Sequence, residues 1–309
     1  MFEFAQLNAA PSNLDDFVAE ILPGFRALYG PEAADHYAAT GAAAIAASIA
    51  QPGVHTFGCN TKSGCAALLM ARQDSARATI SFLHVLGPFR GGDTGATLLN
   101  FALDNLDSFD VFTEFVPFHP GDWDQAFLKR GFRRIDRQLM RRSSGSGTAT
   151  EPGGLEFTHP GISDLDELAA VLSETYLGHP ERFLFPEAQS RSQALDYLLR
   201  ACVGQFGRHD ATHTLAAWKE GRCAGFGIGC QVLPGLGFVL HLAVRPAFQG
   251  SGIGAFILQE LSNAFAQEGL DYIALGVTCD NPAVNLYRRA GFEEKTRIPV
   301  YYRVAGASE

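Results

Sequence analysis

The residues best suited to chemistry form one short run, Gln249-Gly250-Ser251-Gly252-Ile253-Gly254-Ala255, between a strand-like segment and a helical one. Glycine lets the backbone turn through conformations closed to other residues and leaves no Cβ between the amides and a bound anion. A loop of this kind that opens a helix also offers N–H groups with no helical partner and roughly half a positive charge. Together these make a cradle for a pyrophosphate. A Walker-type loop would carry a lysine, and none is present here. Gly250-x-Gly252-x-x-Ala255 also fits a dinucleotide fingerprint. That site wants its glycines directly after the strand and an acid about 20 positions on. Here residues 245–248 intervene, and the first acid past the next strand is Asp280, 30 positions beyond Gly250.

A second run lies about thirty residues on: Asn281-Pro282-Ala283-Val284-Asn285-Leu286-Tyr287-Arg288-Arg289-Ala290-Gly291-Phe292. With it the chain resembles the GNAT superfamily of acetyltransferases, which pairs a Gln/Arg-x-x-Gly-x-Gly/Ala loop with an Asn-x-x-Ala/Val-x-x-Leu-Tyr-x-x-x-Gly-Phe segment. Gln249, Gly252 and Gly254 match the first signature. Asn281, Val284, Leu286, Tyr287, Gly291 and Phe292 match the second, and the resemblance covers residues 155–303. It implies acyl transfer, acetyl by expectation, from acetyl-CoA as cosubstrate to a primary amine of a small molecule or peptide, with no metal. It assigns the backbone of Leu242, Ala243 and Val244 to the pantetheine amides. It assigns residues 249–255 to the pyrophosphate, Asn281 to the pantetheine arm or thioester region, and Tyr287 to protonation of the leaving thiolate, a step within a phenol's reach. The proton acceptor is open. Family enzymes with a strand acid or histidine place it on the face of Phe238 and Leu240, both apolar here. Strict alternation turns His241 to the other face, where it reads as a buried, hydrogen-bonded histidine. Glu174, Asp280 or a water chain stay open, and Cys279 reads as a small strand-ending residue rather than a nucleophile. Acceptor recognition in the family falls to the segment here numbered 176–186, whose aromatics and Glu181 suit an amine or interdomain packing equally. A non-catalytic acyl-CoA sensor on the same fold is the alternative function.

The elements that must position these residues are legible. In the C-terminal half a short strand over 155–158 precedes a helix over 165–176, capped by Ser163. A second helix opens at Pro186 or Glu187 and runs to about residue 203. Strands follow over 214–218, 223–232 and 238–244, then a helix over 252–267 ended by Gly269, a strand over 272–277, a helix over 282–290 and a last strand from Phe292.

The N-terminal half repeats this outline. Residues 80–95 align with 239–254, setting Arg90 against Gln249 at an offset of 159, and Gly131-Phe132 aligns with Gly291-Phe292 at 160. The copy departs where chemistry is required: Asp93 stands at Gly252, Phe127 at Tyr287 and Gly121 at Asn281. A carboxylate in the cradle repels a pyrophosphate. The reading is α/β, two tandem GNAT-like domains, each a mixed, mostly antiparallel sheet flanked by helices. Residues 1–142 form a degenerate domain kept for packing, substrate shaping or homodimer formation. Residues 143–154, rich in Gly and Ser, form a flexible linker, and 155–309 the catalytic domain. Of 309 residues 47% are hydrophobic and the net charge is −9, which suits two cores and excludes nucleic acid or an anionic membrane as the main partner. The start shows no secretory signal, and six cysteines without a paired spacing read as reduced, mostly buried thiols, so the expected location is the cytoplasm.

Overall fold

The computed structural model describes residues 2–74, 77–114, 123–145, 147–177 and 182–305. In chain order its elements are β1 (Glu3–Leu7), α1 (Leu14–Tyr29), α2 (Pro31–Ile49), β2 (Val54–Thr61), β3 (Gly64–Asp74), β4 (Arg77–Val85), α3 (Thr94–Asn105), β5 (Asp110–Thr113), α4 (Asp124–Leu128) and β6 (Arg133–Ser143). There follow β7 (Glu156–Thr158), α5 (Leu165–Tyr176), α6 (Arg191–Cys202), β8 (Thr214–Lys219), β9 (Arg222–Leu233), β10 (Leu236–Val244), α7 (Ile253–Gln267), β11 (Tyr272–Thr278), α8 (Ala283–Arg289) and β12 (Glu293–Arg303). The chain forms two compact units: Met1–Gln138 with Thr296–Glu309, and Leu139–Lys295.

In the first unit β1 to β5 lie in chain order, and the end of β12 joins antiparallel to β5, Tyr302 facing Phe112. In the second the order is β7-β8-β9-β10-β11, and residues 139–143 of β6 lie beside β11. Each unit thus takes its closing strand from the far half of the sequence. The reading that kept 1–142 and 155–309 whole missed this, because a strand's pattern marks which of its faces is buried and does not choose the sheet that it joins.

Helices cover both faces of each sheet. In the second unit Leu165, Leu168, Leu172 and Leu198 of α5 and α6 are buried against Phe226 and Ile228, while Ile257, Leu261 and Phe265 of α7 are buried with Val239, Ile273 and Leu275. Helix α7 sits close because the strands beneath it carry glycine. A Cβ at Gly227 would meet Ile257 Cγ2 at 2.5 Å, and one at Gly237 would meet Phe265 at 2.6 Å.

The duplication reaches the hydrogen-bond register. Strand β3 pairs Met70 with Phe82 and Ala71 with Ile80, skipping Ser81; β9 pairs Gly229 with Val239 and Ile228 with His241, skipping Leu240. The two bulged residues stand 159 apart, the offset read from sequence. Both sheets also part at matching places: β4 runs parallel to β5 only over Arg77 to Ile80, and β10 to β11 only over Leu236 to Phe238.

Three local expectations change. Helix α6 starts at Arg191, where Ser190 Oγ accepts the Gln193 N–H, and Pro186–Ala188 is a separate 3-10 turn. Asp164, not Ser163, precedes α5. The Gly/Ser stretch read as a flexible linker is tied to the second unit. Ser144 N–H donates to Asp271 C=O at 2.9 Å, and Gly147 exchanges bonds with Asn263 on α7, 3.0 and 3.1 Å. Polar side chains on a helix supply partners that composition does not reveal.

Candidate active site

The parting of β10 from β11 exposes a backbone edge. Arg245 N–H donates to Ala224 C=O on β9 at 2.9 Å, so alternation turns the N–H and C=O of Ala243 toward β9 and those of Leu242 and Val244 toward the open side. Of the three residues expected to meet pantetheine by backbone, two therefore present their polar groups. In this structure Gln249 Nε2 donates to Val244 C=O at 3.1 Å, and at the matching place in the first unit Arg90 Nε donates to Val85 C=O at 2.8 Å.

Past β10 a 3-10 turn, Pro246–Phe248, leads into the glycine loop. Gly250 has φ 78° and Gly252 φ 92°, the left-handed region that any Cβ strains. Nothing lies within 4 Å of a Cβ placed at Gly250, and at Gly252 the nearest atom is Pro152 Cγ at 3.5 Å, so the space beside both glycines is open. Ser251 Oγ donates to Phe248 C=O and holds the turn. The first bond of α7 runs from Phe256 N–H to Gly252 C=O, which leaves the amides of Ile253, Gly254 and Ala255 without a partner inside the helix.

Because β10 and β11 are parallel, their C-terminal ends reach the same edge. There Asn281 Oδ1 accepts the Ala283 N–H at 2.9 Å and starts α8. Leu286 packs beside the loop, its Cδ2 3.3 Å from where a Cβ of Gly254 would lie. Tyr287 is buried with Ile253, Leu275, Val277 and Val284, its ring centre 6.1 Å from that of Phe292. The fold thus brings the strand edge, the glycine loop, Asn281 and the helix bearing Tyr287 to one end of one sheet.

The first unit shows the same parts altered. Asp93 precedes α3 with φ −79°, where Gly252 has 92°. The notch beside Gly95, the counterpart of Gly254, is filled: a Cβ there would lie 2.4 Å from the Trp123 ring. Phe127, at the place of Tyr287, stacks on Tyr301 at 4.3 Å. Gly121 lies outside the described residues, as does Glu181 in the segment expected to recognise the acceptor.

The bulge at Leu240 overturns the expected direction of His241. Val239 lies in the core under α7, and unbroken alternation would send His241 there too. The extra residue turns it to the α5 and α6 face instead. Its ring meets Tyr197 at 5.1 Å, Phe185 at 6.0 Å and Tyr176 at 6.3 Å, and its Nε2 lies 3.2 Å from Glu187 Oε1. The histidine is buried and hydrogen-bonded, as expected, but on the opposite side. Glu174, one candidate proton acceptor, is committed elsewhere: Arg245 bridges Glu167 at 2.9 Å and Glu174 at 3.1 Å. Asp280 is exposed. Glu187, Tyr197 and the Arg245 pairs were not singled out from sequence, since nothing in local spacing marks contacts between distant elements. The thiols of Cys223 and Cys230 are buried, and burial pushes them up to about 12 and about 11, far from a reactive thiolate.

A mixed sheet parting near a bulge, beside a glycine loop that opens a helix, is the arrangement that the sequence resemblance implied. Residues 172–292 match the acetyltransferase (GNAT) family, so this segment of the chain is similar to members of that family. It is 31% identical over 177 residues to a mycothiol acetyltransferase of Clavibacter sepedonicus. That match covers 57% of this chain and 55% of the relative, so the chain spans about half the length of this curated relative. A GCN5-related N-acetyltransferase from Sphaerobacter thermophilus shares the fold over 98% of this chain and 96% of its own, with TM-score 0.71 at 18% identity. A tandem GNAT protein from the clavulanic acid biosynthesis pathway covers all of both chains, with TM-score 0.61 at 17% identity. The protein is thus a tandem GNAT fold.

Proposed function

We propose that the protein is an acetyl-CoA-dependent N-acetyltransferase whose second unit alone binds the coenzyme and acts on a primary amine of a small molecule or peptide. The observation that carries this reading is the continuity of two surfaces, the open β10 edge at Leu242 and Val244 and the glycine loop that follows it. An extended pantetheine arm pairs with such an edge as an added strand does, and its pyrophosphate then falls at the helix start. Gln249, with its amide on Val244 C=O, is the side chain that must give way or share that carbonyl. Asn281 faces the arm from the start of α8. Tyr287 holds the proton that the departing thiolate takes up. The acyl group assigned is acetyl, in keeping with the relative named an acetyltransferase. In the first unit the filled notch at Gly95 and the carboxylate of Asp93 oppose the same ligand.

Isothermal calorimetry with coenzyme A tests the assignment. One site per chain is expected. Gly252→Asp places a carboxylate and a strained Cβ in the loop and is expected to weaken binding at least tenfold, about 1.4 kcal/mol. Two equivalent sites, or undiminished affinity in the variant, would refute it. Thiol release from acetyl-CoA across a panel of amines then identifies the acceptor.

A further inference from the structure

His241 is a buried imidazole for which neither the glycine loop nor the α8 segment accounts. It lies three residues beyond Phe238, the last residue of β10 paired with β11, so it stands where the two strands have begun to part. The bulge turns it to the face opposite α7, away from the helix that carries the loop. Three rings from three elements surround it: Tyr176 of α5, Phe185 before the 3-10 turn, and Tyr197 of α6. Glu187 completes the surroundings, its side chain 14% exposed against 5% for His241.

The tautomer follows from the partner. A carboxylate only accepts, so the Nε2 facing Glu187 carries the hydrogen and donates it, which leaves the lone pair on Nδ1. Nδ1 has no hydrogen-bond partner among the described residues. A histidine held by a carboxylate on one nitrogen, with a lone pair on the other, is arranged to accept a proton and to be stabilised once it has done so.

We propose that His241 is the catalytic base of the acetyl transfer and that Glu187 is its positioning residue, with Tyr176, Phe185 and Tyr197 walling the place where the acceptor amine approaches. This rests on the acetyltransferase reading above. In the step, the neutral amine nitrogen bonds to the thioester carbonyl carbon and its proton passes to Nδ1. The C–S bond breaks and the sulfur takes a proton from Tyr287. Imidazolium and phenolate return to their starting forms by exchange with solvent, so no oxidant or further reactant enters. Among the described residues, the ionisable groups that face the imidazole are Glu187, Tyr176 and Tyr197.

The test compares two nucleophiles. Ethanolamine is a strong base whose bound ammonium form must shed its proton. Hydroxylamine is unprotonated at neutral pH, and its adduct is acidic enough to lose a proton to water. Thiol release from acetyl-CoA is measured with each, for the wild type, His241→Gln and Glu187→Gln, with coenzyme A affinity followed by calorimetry. His241→Gln is expected to lose ~10²-fold or more with ethanolamine and far less with hydroxylamine, with coenzyme affinity unchanged. Glu187→Gln is expected to fall between, with a displaced acid limb in its pH profile. Equal losses with both nucleophiles, or no loss, would overturn the proposal, as would a wild type that binds coenzyme A yet accelerates neither. A wild type that does not bind coenzyme A would instead sink the functional reading itself.

Discussion

Tyr287 is 9% exposed and packed on apolar side chains, so Tyr287→Phe keeps the ring and removes only the hydroxyl. If that hydroxyl protonates the leaving sulfur, turnover should fall while coenzyme affinity is nearly kept. General acid catalysis contributes ~10²–10⁴-fold, and a thiolate is a tolerable leaving group, so the expected loss is at or below ~10²-fold. Steady-state turnover and calorimetry on the variant decide it. Unchanged turnover with chemistry limiting the rate would make Tyr287 a core aromatic like Phe127. Two other residues couple charge to stability. His84 and His213 are 1% and 0% exposed, and burial holds each imidazole below its ordinary value of 6.5 despite the nearby Glu20 and Glu268. The unfolded chain protonates these groups first as pH falls, so it binds more protons and gains on the folded state. Stability is therefore complete above about 6.5 and should decline as pH drops below it. A melting temperature that stays level from about pH 7.5 to 5.5 would contradict the burial of both imidazoles as neutral groups.

The elements act through close approach and through irregularity. Helix α7 can present its first turn to a ligand because its body lies on glycines of β9 and β10. Gly227→Val would drive Cβ to 2.5 Å from Ile257 and 3.0 Å from Leu261. Overpacking of this kind costs ~1–3 kcal/mol, and chemical denaturation should show it as a lower midpoint. An unchanged midpoint would mean that α7 does not sit as closely as described. The bulge at Leu240 is the second device. One unpaired residue rotates every side chain beyond it, so that Leu242 and Val244 face α7 while His241 faces α5 and α6. Ser81 marks the same irregularity in the first unit. There Asp93 and Trp123 alter the loop and its notch while the bulge is kept, so the feature belongs to the architecture that the two units share.

At the scale of the whole chain, the path leaves the first unit after Gln138 and returns to it at Thr296. The second unit therefore needs residues 139–143, where Met140 is fully buried in the α7 core and Arg142 Nη1 donates to Ala290 C=O at 2.7 Å, closing the end of α8. A fragment of residues 155–309 lacks that strand and exposes the flank of β11. It is expected to unfold without a cooperative transition, whereas residues 139–295 should melt cooperatively and bind coenzyme A. Circular dichroism melts of the two fragments test this, and equal behaviour would show that the closing strand is dispensable. Among the described residues no helix is long and apolar enough to cross a membrane.

Much of this was legible in the residues. The glycine loop and the Asn281 to Phe292 run carry local requirements, a left-handed turn, an open backbone and a helix start, which only a few residue types meet. The duplication was legible because residues 80–95 and the Gly131-Phe132 pair recur at nearly one offset in the second copy, although Asp93 lacks the left-handed turn of Gly252. What local chemistry does not encode was settled by the tertiary fold. Which sheet receives β6 and which β12 depends on partners more than a hundred residues away. The pairing of His241 with Glu187 likewise joins residues 54 positions apart in the chain. The direction of His241 was misread from alternation because a bulge is a property of two paired strands. It exists only once β9 and β10 have chosen their register, and no single strand's sequence displays it.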